Sequence, residues 1–395
     1  MSGRRLSALH VIPSLSRKHG GPSYAVRAMA RALRPLGVDL TIATTDDDGD
    51  DARLNVPLGQ PIEEDGINVY YFRRELLPYK ISFGLVRWLR SNVAQFDLVH
   101  IHALFSFSST VAGHYAYRKG VPYVIRPLGV LNIYGLENRR PVLKKLSMPL
   151  VESRILRYSA AIHYTSQAER MEAAAISNEI ATHRSVVVPL PIEQQKGNVD
   201  DFRKRFPQVA NKRVVLFLSR IDAKKGIELL LDAFASVDPQ LNDIVLVIAG
   251  AGSASYQQAL QERAKELRIA DRVVWAGHLD GEIKAGAFAA AEVFVLSSHS
   301  ENFGIAAAEA ITCGVPTIVS DQVAISDEIR TSDAGIVVRA DAKELALAIQ
   351  RVLADREFAS RLSANAMRLA AARYAPVAVG RQLRELYDSI SSETK

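Results

Sequence analysis

The stretch from Val293 to Asp321, VFVLSSHSENFGIAAAEAITCGVPTIVSD, restricts the fold more than any other part of the chain. Val293 to Leu296 is a short apolar run rich in β-branched and aromatic residues, long enough for a buried strand and too short for a helix. Ser297 to Gly304 is polar and ends in glycine. Ile305 to Thr312 is strongly helix-forming, Cys313-Gly314 stops that helix, Pro316 lies just beyond, and Thr317 to Ser320 is strand-like again. The stretch predicts strand, loop, helix, strand. Such a unit places its loop at the carboxyl end of a parallel sheet, with the N–H groups of the helix start aimed where α/β proteins hold ligands.

Two carboxylates bracket that loop, Glu301 before the helix and Glu309 within it, with no competing charge between them. Gly304 lets a ligand approach the backbone. An acid among alanines is costly unless paired or ligand-bound, so Glu309 reads as an acceptor for ligand hydroxyls. The same spacing also fits a capping Glu301 and a solvent-facing Glu309.

At 395 residues and 48% hydrophobic, the chain exceeds one ordinary core and supplies enough apolar content for two. Its one cysteine, Cys313, excludes an internal disulfide framework and a cysteine-rich metal site, which fits a reducing cytoplasm. No run of about eighteen apolar residues occurs, and the apolar stretch near the start is too short for a signal peptide. A cytoplasmic protein, soluble or peripheral on a membrane, is expected.

The net charge of +6 is uneven: residues 1–190 hold 24 Lys+Arg against 16 Asp+Glu, and the rest 25 against 27. Basic residues cluster at Arg73-Arg74, Arg87 and Arg90, Arg118-Lys119, and Arg139-Arg140 with Lys144-Lys145, interleaved with Trp88, Leu143, Leu146 and Met148. Such a face suits an anionic membrane or a lipid-linked substrate, and equally a solvated surface. No signature of nucleic-acid binding accompanies it.

Taken in order, Leu6 to Ile12 reads as a strand, followed by a loop ending in Gly20-Gly21 ahead of a helix from Tyr24 to Leu36. Glycines feeding a helix N-terminus favour an anion there, although neither the GxGxxG nor the Walker spacing is present. After strand Val38 to Thr44 comes the acidic run Asp46, Asp47, Asp48, Asp50, Asp51, which fits either a divalent-cation site or a solvated loop. Polar, proline-broken loop is expected up to Gly66, then strand Ile67 to Phe72 and a helix around Phe83 to Val93.

The buried strand Asp97 to His102 ends in His100 and His102, at spacing i, i+2 on one face, and His102 is the better placed for a ligand. After a helix from Ser109 to Lys119, strand Tyr123 to Arg126 puts a cation, Arg126, at its carboxyl end. A helix from Lys144 to Tyr158 and strands at Ala160 to Thr165 and Val186 to Val188 precede Pro189-Leu190-Pro191, which reads as a linker.

Beyond it the pattern restarts. Strand Arg213 to Leu218 leads into SRIDAKKGIELLLDAF, where Arg220, Lys225 and the helix opened by Gly226 converge. Two fixed cations over a helix start are what a leaving diphosphate requires. Strand Ile244 to Ala249 ends at Gly250, and Val273 to Ala276 at Gly277-His278-Leu279, a further candidate loop for a nucleotide site. Helices at Glu344 to Leu353, Arg361 to Ala372 and Val379 to Ile390 close the chain.

Arg220-x-x-x-x-Lys225-Gly226 followed by Glu301-x7-Glu309 within SENFG, in order after Gly20-Gly21, resembles the retaining, nucleotide-sugar-dependent glycosyltransferases of family 4 over essentially the whole chain. The resemblance implies an α/β GT-B fold, two Rossmann-like domains facing across a cleft, with the last helix crossing back to the first. It implies an acceptor-binding domain at 1–191, a nucleotide-sugar-binding domain at 192–375, and a returning helix at 376–395. Arg220 and Lys225 would bind the donor diphosphate, Glu301 the donor sugar and Glu309 the ribose, with Asn302, Phe303, Gly304, Ile305, Gly250, His278 and Leu279 lining the site. Gly20 and Gly21 would approach from the first domain.

Many members carry a histidine where this chain has Leu128, so His102 or Arg126 would take over part of its task, or the task is dispensable. The implied donor is a nucleotide-diphosphate sugar, with no cofactor and no metal. The implied acceptor is a glycan or lipid-linked hydroxyl in bacterial surface polysaccharide or glycolipid synthesis. A catalytically silent sugar-nucleotide-binding protein is the competing reading. A glycosidase leaves Arg220 and Lys225 without purpose, and nothing marks the lysine a pyridoxal-phosphate phosphorylase needs.

Overall fold

A computed structural model describes residues 5–49, 51–131, 147–237 and 243–393. The chain forms two compact units, Met1–Pro191 with Pro376–Lys395, and Ile192–Ala375. Each is built on one sheet, because runs such as Val214 to Phe217 and Ile244 to Ala249 are apolar at every position and are buried only in strands covered on both faces.

In the first unit the strands are β1 (Leu6–Ser14), β2 (Val38–Thr45), β3 (Pro61–Glu64), β4 (Ile67–Phe72), β5 (Leu98–His102), β6 (Tyr123–Arg126), β7 (Ala161–Tyr164) and β8 (Ser185–Val187). They lie in the order β3-β4-β2-β1-β5-β6-β7-β8, all parallel except β3, which is antiparallel to β4. The chain runs outward from β1 through β2 to β4, then returns to β5 on the other side of β1. The loops after β1 and β5 therefore leave the sheet as neighbours at its point of reversal, where open α/β sheets bind ligands.

The second unit repeats the plan with β9 (Arg213–Leu218), β10 (Ile244–Ala249), β11 (Val273–Gly277), β12 (Ala291–Leu296), β13 (Thr317–Ser320) and β14 (Gly335–Val338). The order β11-β10-β9-β12-β13-β14 is parallel throughout. Here the reversal lies between β9 and β12. It brings the loop carrying Arg220 and Lys225 beside the loop carrying Glu301.

The last helix, Pro376–Glu393, belongs to the first unit and packs on the helix Gly21–Leu33. It buries Val379, Leu383, Leu386, Tyr387 and Ile390, spaced along one face of its 3.6-residue period. The contact is close: a Cβ on Gly380 would lie 2.5 Å from the Ala32 carbonyl oxygen.

The expectation of unbroken loop up to Gly66 is corrected by β3. Its PIEE pairs on one side only, with no buried residue, so it carries none of the apolar pattern of an inner strand. The helix Gly281–Ala290, rich in alanine and glycine, also lay outside the sequence reading. The expected helix from Lys144 to Tyr158 is a π-helical turn at Met148–Glu152 continuing into Ser153–Arg157. Arg139, Arg140, Leu143, Lys144, Lys145, Leu146 and Asp50 lie outside the described residues.

Candidate donor site and the first-unit loops

In the second unit the loop after β9 folds back as a 3₁₀ turn, Ala223–Lys225, whose cap Asp222 accepts from the Lys224 N–H at 3.0 Å. Gly226 then takes a left-handed conformation, φ 61° and ψ 38°, and starts the helix Ile227–Ala235 without a side-chain cap. A Cβ at Gly226 would stand 2.2 Å from the Ser297 carbonyl oxygen, so this turn and the loop after β12 meet backbone to backbone. Ser297 Oγ donates to the Gly226 carbonyl at 2.8 Å, and the His299 N–H to the Lys224 carbonyl at 2.7 Å.

Glu301 is stitched on its other side to the loop after β13, its N–H donating to Gln322 O at 3.1 Å and its carbonyl accepting from Ala324 N at 3.0 Å. Held from both sides, Glu301 pairs with Lys225, which is 7% exposed. Arg220 stands exposed in the same loop. The helix Ile305–Thr312 begins at Gly304, φ 87°, again with no side-chain cap. Ser82, Ser106, Ser166, Ser253 and Asp341 cap their helices, while Gly281–Ala290 and Ser326–Thr331 also start without a side-chain cap. Two uncapped helix starts, one buried lysine and one exposed arginine surround the reversal point. Unsatisfied N–H groups and fixed cations together make a place for an anion.

Glu309 is 5% exposed, and Lys284 Nζ stands 2.7 Å from its Oε1. The solvent-facing alternative is thereby removed, and so is an acid awaiting only a ligand. Lys284 was missed in the sequence, although it is the only Lys or Arg between Arg272 and Arg330. A buried carboxylate demands a cation, and that segment offers one.

The remaining expected residues divide. Ile305 opens its helix, and Asn302 is exposed beside it. Phe303 is 4% exposed and packs its ring edge-on to Tyr374 at 5.9 Å, a core role. Gly250 is required by strand contact, since a Cβ there would lie 1.8 Å from Ser219 O. Its N–H donates to Gly277 O at 2.7 Å, which joins the loops after β10 and β11. His278 is exposed in that second loop and Leu279 is buried.

In the first unit Gly20, φ 68°, ends a 3₁₀ turn, and Gly21 opens the helix Gly21–Leu33, again without a side-chain cap. The solvated-loop reading of the acidic run is corrected at Asp46 and Asp47, which are buried, while Asp51 is exposed. Asp47 is fully buried and pairs with Arg74, Lys80 and His19, while Asp48 takes Lys18 at 2.6 Å and Ser16 Oγ at 2.5 Å. Burial acts to raise the Asp47 carboxyl, but hydrogen bonds from His19, Lys80 and Arg74 hold it well below the usual carboxylate range. The run therefore binds the glycine loop from behind. Arg74, counted with the basic surface, is spent in this cluster.

His102 and Arg126 are also corrected as open, crevice-facing groups. His102 is fully buried, its Nε2 3.1 Å from His10 Nδ1 and its Nδ1 3.3 Å from Arg126. Arg126 is 3% exposed, and burial pushes its guanidinium down to about 10. Leu128 follows with φ 61°, and Ala103 and Phe105 after β5 have φ 100° and 55°. Three non-glycine residues in the left-handed region at two adjacent strand ends mark stored strain of the kind found at working loops.

Comparison with known proteins agrees with the fold of the two units. Residues 20–191 match the family model for a glycosyl transferase 4-like domain, and residues 198–369 that for glycosyl transferases group 1. A D-inositol 3-phosphate glycosyltransferase of Geodermatophilus obscurus is 34% identical over 200 residues, 48% of this chain and 44% of that one. An alpha-D-kanosaminyltransferase of Streptomyces kanamyceticus is 33% identical over 191 residues, 48% and 49% of the two chains. The chain thus spans about half the length of these curated relatives. Among solved structures, sucrose-phosphate synthase from Thermosynechococcus elongatus superposes with a TM-score of 0.77 at 23% identity, over 98% of this chain and all of the other. Anabaena HepE, solved in complex with UDP and glucose, gives 0.76 at 20% identity over 97% of this chain and all of the other. With both halves matched, the chain belongs to the family 4 glycosyltransferases of GT-B fold.

Proposed function

We propose that this protein is a retaining, metal-independent glycosyltransferase that moves a hexosyl group from a nucleotide-diphosphate sugar to a hydroxyl of a glycan or lipid-linked acceptor. The observation that carries the reading is the meeting of Arg220, Lys225 and two uncapped helix starts at the reversal point between β9 and β12. Breaking the anomeric bond puts negative charge on the departing diphosphate and positive charge on the sugar ring. Preorganised cations and N–H dipoles answer the first, and they need no reorganisation as the charge develops.

In this reading Glu301 serves the donor sugar and keeps Lys225 oriented, while Glu309, backed by Lys284, accepts from the ribose hydroxyls. Gly20 and Gly21 give the first unit a helix start open to an anion, and Arg126 is a buried cation at the end of β6. UDP is the first nucleotide to try, because it occupies HepE. Leu128 favours the second reading, a silent sugar-nucleotide-binding protein.

Measured release of nucleoside diphosphate from UDP-, GDP- and ADP-sugars, with and without EDTA, separates these. Turnover that survives EDTA and falls about 10²–10³-fold in Arg220→Ala and Lys225→Ala supports the transferase. Wild-type binding without any turnover supports the silent reading.

For the lipid-linked acceptor, support comes from one surface of the first unit. Leu76 and Leu77, on a short hairpin, are each 47% exposed, Phe83 at the start of the helix Phe83–Asn92 is 51% exposed, and exposed Arg87 and Arg90 follow on that helix's next turns. Apolar tips beside cations suit an anionic bilayer on the cytoplasmic side. Flotation with phosphatidylglycerol vesicles should carry the wild type and lose a Leu77→Ser/Phe83→Ser variant; equal flotation would remove the membrane from the account.

A further inference from the structure

Four histidines are fully buried in the first unit: His10 on β1, His100 and His102 on β5, and His163 on β7. With Tyr387 of the last helix and Arg126 of β6, they form one unbroken line of hydrogen bonds. Arg126 NH1 lies 3.3 Å from His102 Nδ1, His102 Nε2 3.1 Å from His10 Nδ1, and His10 Nε2 2.8 Å from the Tyr387 hydroxyl. The hydroxyl lies 2.7 Å from His100 Nδ1, His100 Nε2 3.2 Å from His163 Nδ1, and His163 Nε2 2.7 Å from the Val188 carbonyl oxygen.

The two ends fix the direction of every bond between them. A guanidinium only donates and a carbonyl only accepts. His163 must therefore carry its proton on Nε2, which leaves Nδ1 to accept from His100. His100 in turn accepts from the tyrosine hydroxyl, the hydroxyl accepts from His10, and His10 accepts from His102. All four rings are then neutral with the proton on Nε2. No ring nitrogen is left over and no two donors face each other.

We propose that this one-way chain makes Tyr387, His10, His100, His102 and His163 positioning residues for the Arg126 guanidinium, so that the last helix sets Arg126 through the interior of the first unit. The Arg126 Nε is buried without a hydrogen-bond partner, so NH1 is the anchored end of the group. Arg126 makes no ion pair among the described residues that would hold it otherwise. Glu169, the carboxylate that acts on it at longer range, is already engaged by Gly129 N, Thr165 N and Thr165 Oγ1 at 2.7 to 2.8 Å. His10, His100 and His102 do present nitrogens within 4.8 Å of one another, a spacing a metal ion could use. Each of those nitrogens already has its partner, and the Arg126 charge stands at the end of the line, so the hydrogen-bonded reading accounts for more.

The test uses the full chain labelled with ¹⁵N. Two-bond ¹⁵N–¹H spectra at pH 7 should show these four of the nine histidines as neutral rings protonated on Nε2. Tyr387→Phe removes one oxygen at the middle of the line and should shift the side-chain resonances of His102 and Arg126. Leu383→Ala, which loosens the same helix without touching the line, should leave them in place. A proton on Nδ1 or a doubly protonated ring in the wild type would overturn the proposal. So would equal shifts of Arg126 in the two variants, or stoichiometric binding of zinc that displaces the ring protons. Should Tyr387→Phe fail to fold, the wild-type proton pattern alone decides. None of these readouts requires turnover, so the result stands apart from the reaction proposed above.

Discussion

Lys284 and Glu309 show how far single residues were legible. The sequence marks Glu309 as anomalous, an acid among Ala306, Ala307, Ala308 and Ala310, and the structure agrees by burying it. Its partner comes from an alanine-rich helix with little amphipathic pattern, so the pairing was hidden while the need for it was visible. Lys284→Met should leave a buried carboxylate uncompensated and destabilise the second unit by about 2–4 kcal/mol, less than for a fully enclosed pair because Lys284 is partly exposed. Adding Glu309→Gln should restore much of that loss. Calorimetry of the single and double variants checks it, and additive losses would show that the pair is not coupled. The acidic run is the opposite case. Asp47 looked like any residue of a solvated loop, because Arg74, Lys80 and His19, which bury it, are distant in sequence.

At the scale of elements, the strands that carry the site were readable because parallel strands buried on both faces are continuous apolar runs. β6, β9, β10 and β13 fall where those runs predict them. What periodicity could not give was the reversal of strand order, which decides that Lys225 meets Glu301. The contact at Gly226 is the element-level test. Gly226→Ala combines a left-handed backbone with a Cβ 2.2 Å from Ser297 O, whereas Gly120→Ala, φ 68°, meets nothing within 4 Å. The second change should cost about 1 kcal/mol of backbone strain. Gly226→Ala should cost more and also weaken nucleotide binding, by pushing the Glu301 loop away from Lys225. Equal effects on titrated nucleotide affinity would contradict this packing of the two loops.

For the whole molecule, no helix of the described residues is long and apolar enough to cross a membrane. The first unit carries a distinctive sensitivity to acid. Burial first, then neighbouring charges, push His10 and His163 down to about 3, and His100 and His102 well below the usual value. Below about pH 6.5 the unfolded chain takes up these protons and the folded unit does not, so each histidine removes about 1.4 kcal/mol of stability per pH unit. Glu152, raised to about 7 by burial, and Glu169, also raised, act the other way, since the folded unit binds their protons first. The four histidines outnumber the two carboxylates, so the first unit is expected to lose stability as the pH falls from about 6.5 to 4.5. Circular dichroism should show the first unit unfolding in that interval. Unchanged stability down to pH 4 would mean that the histidines are not neutral in the fold.

The account as a whole rests on Arg220, Lys225 and Glu301 forming a nucleotide-diphosphate site in the second unit. A thermal-shift panel with UDP, GDP and ADP, each with EDTA, on the wild type and on Arg220→Ala tests that most directly. Ligand at a hundred times its dissociation constant adds about 2.7 kcal/mol, a rise of roughly 5–10 °C for a unit of this size. One nucleotide should stabilise the wild type without metal, and Arg220→Ala should lose most of that rise at the same concentration. The same rise in both proteins, or none with any nucleotide, would contradict the site described here.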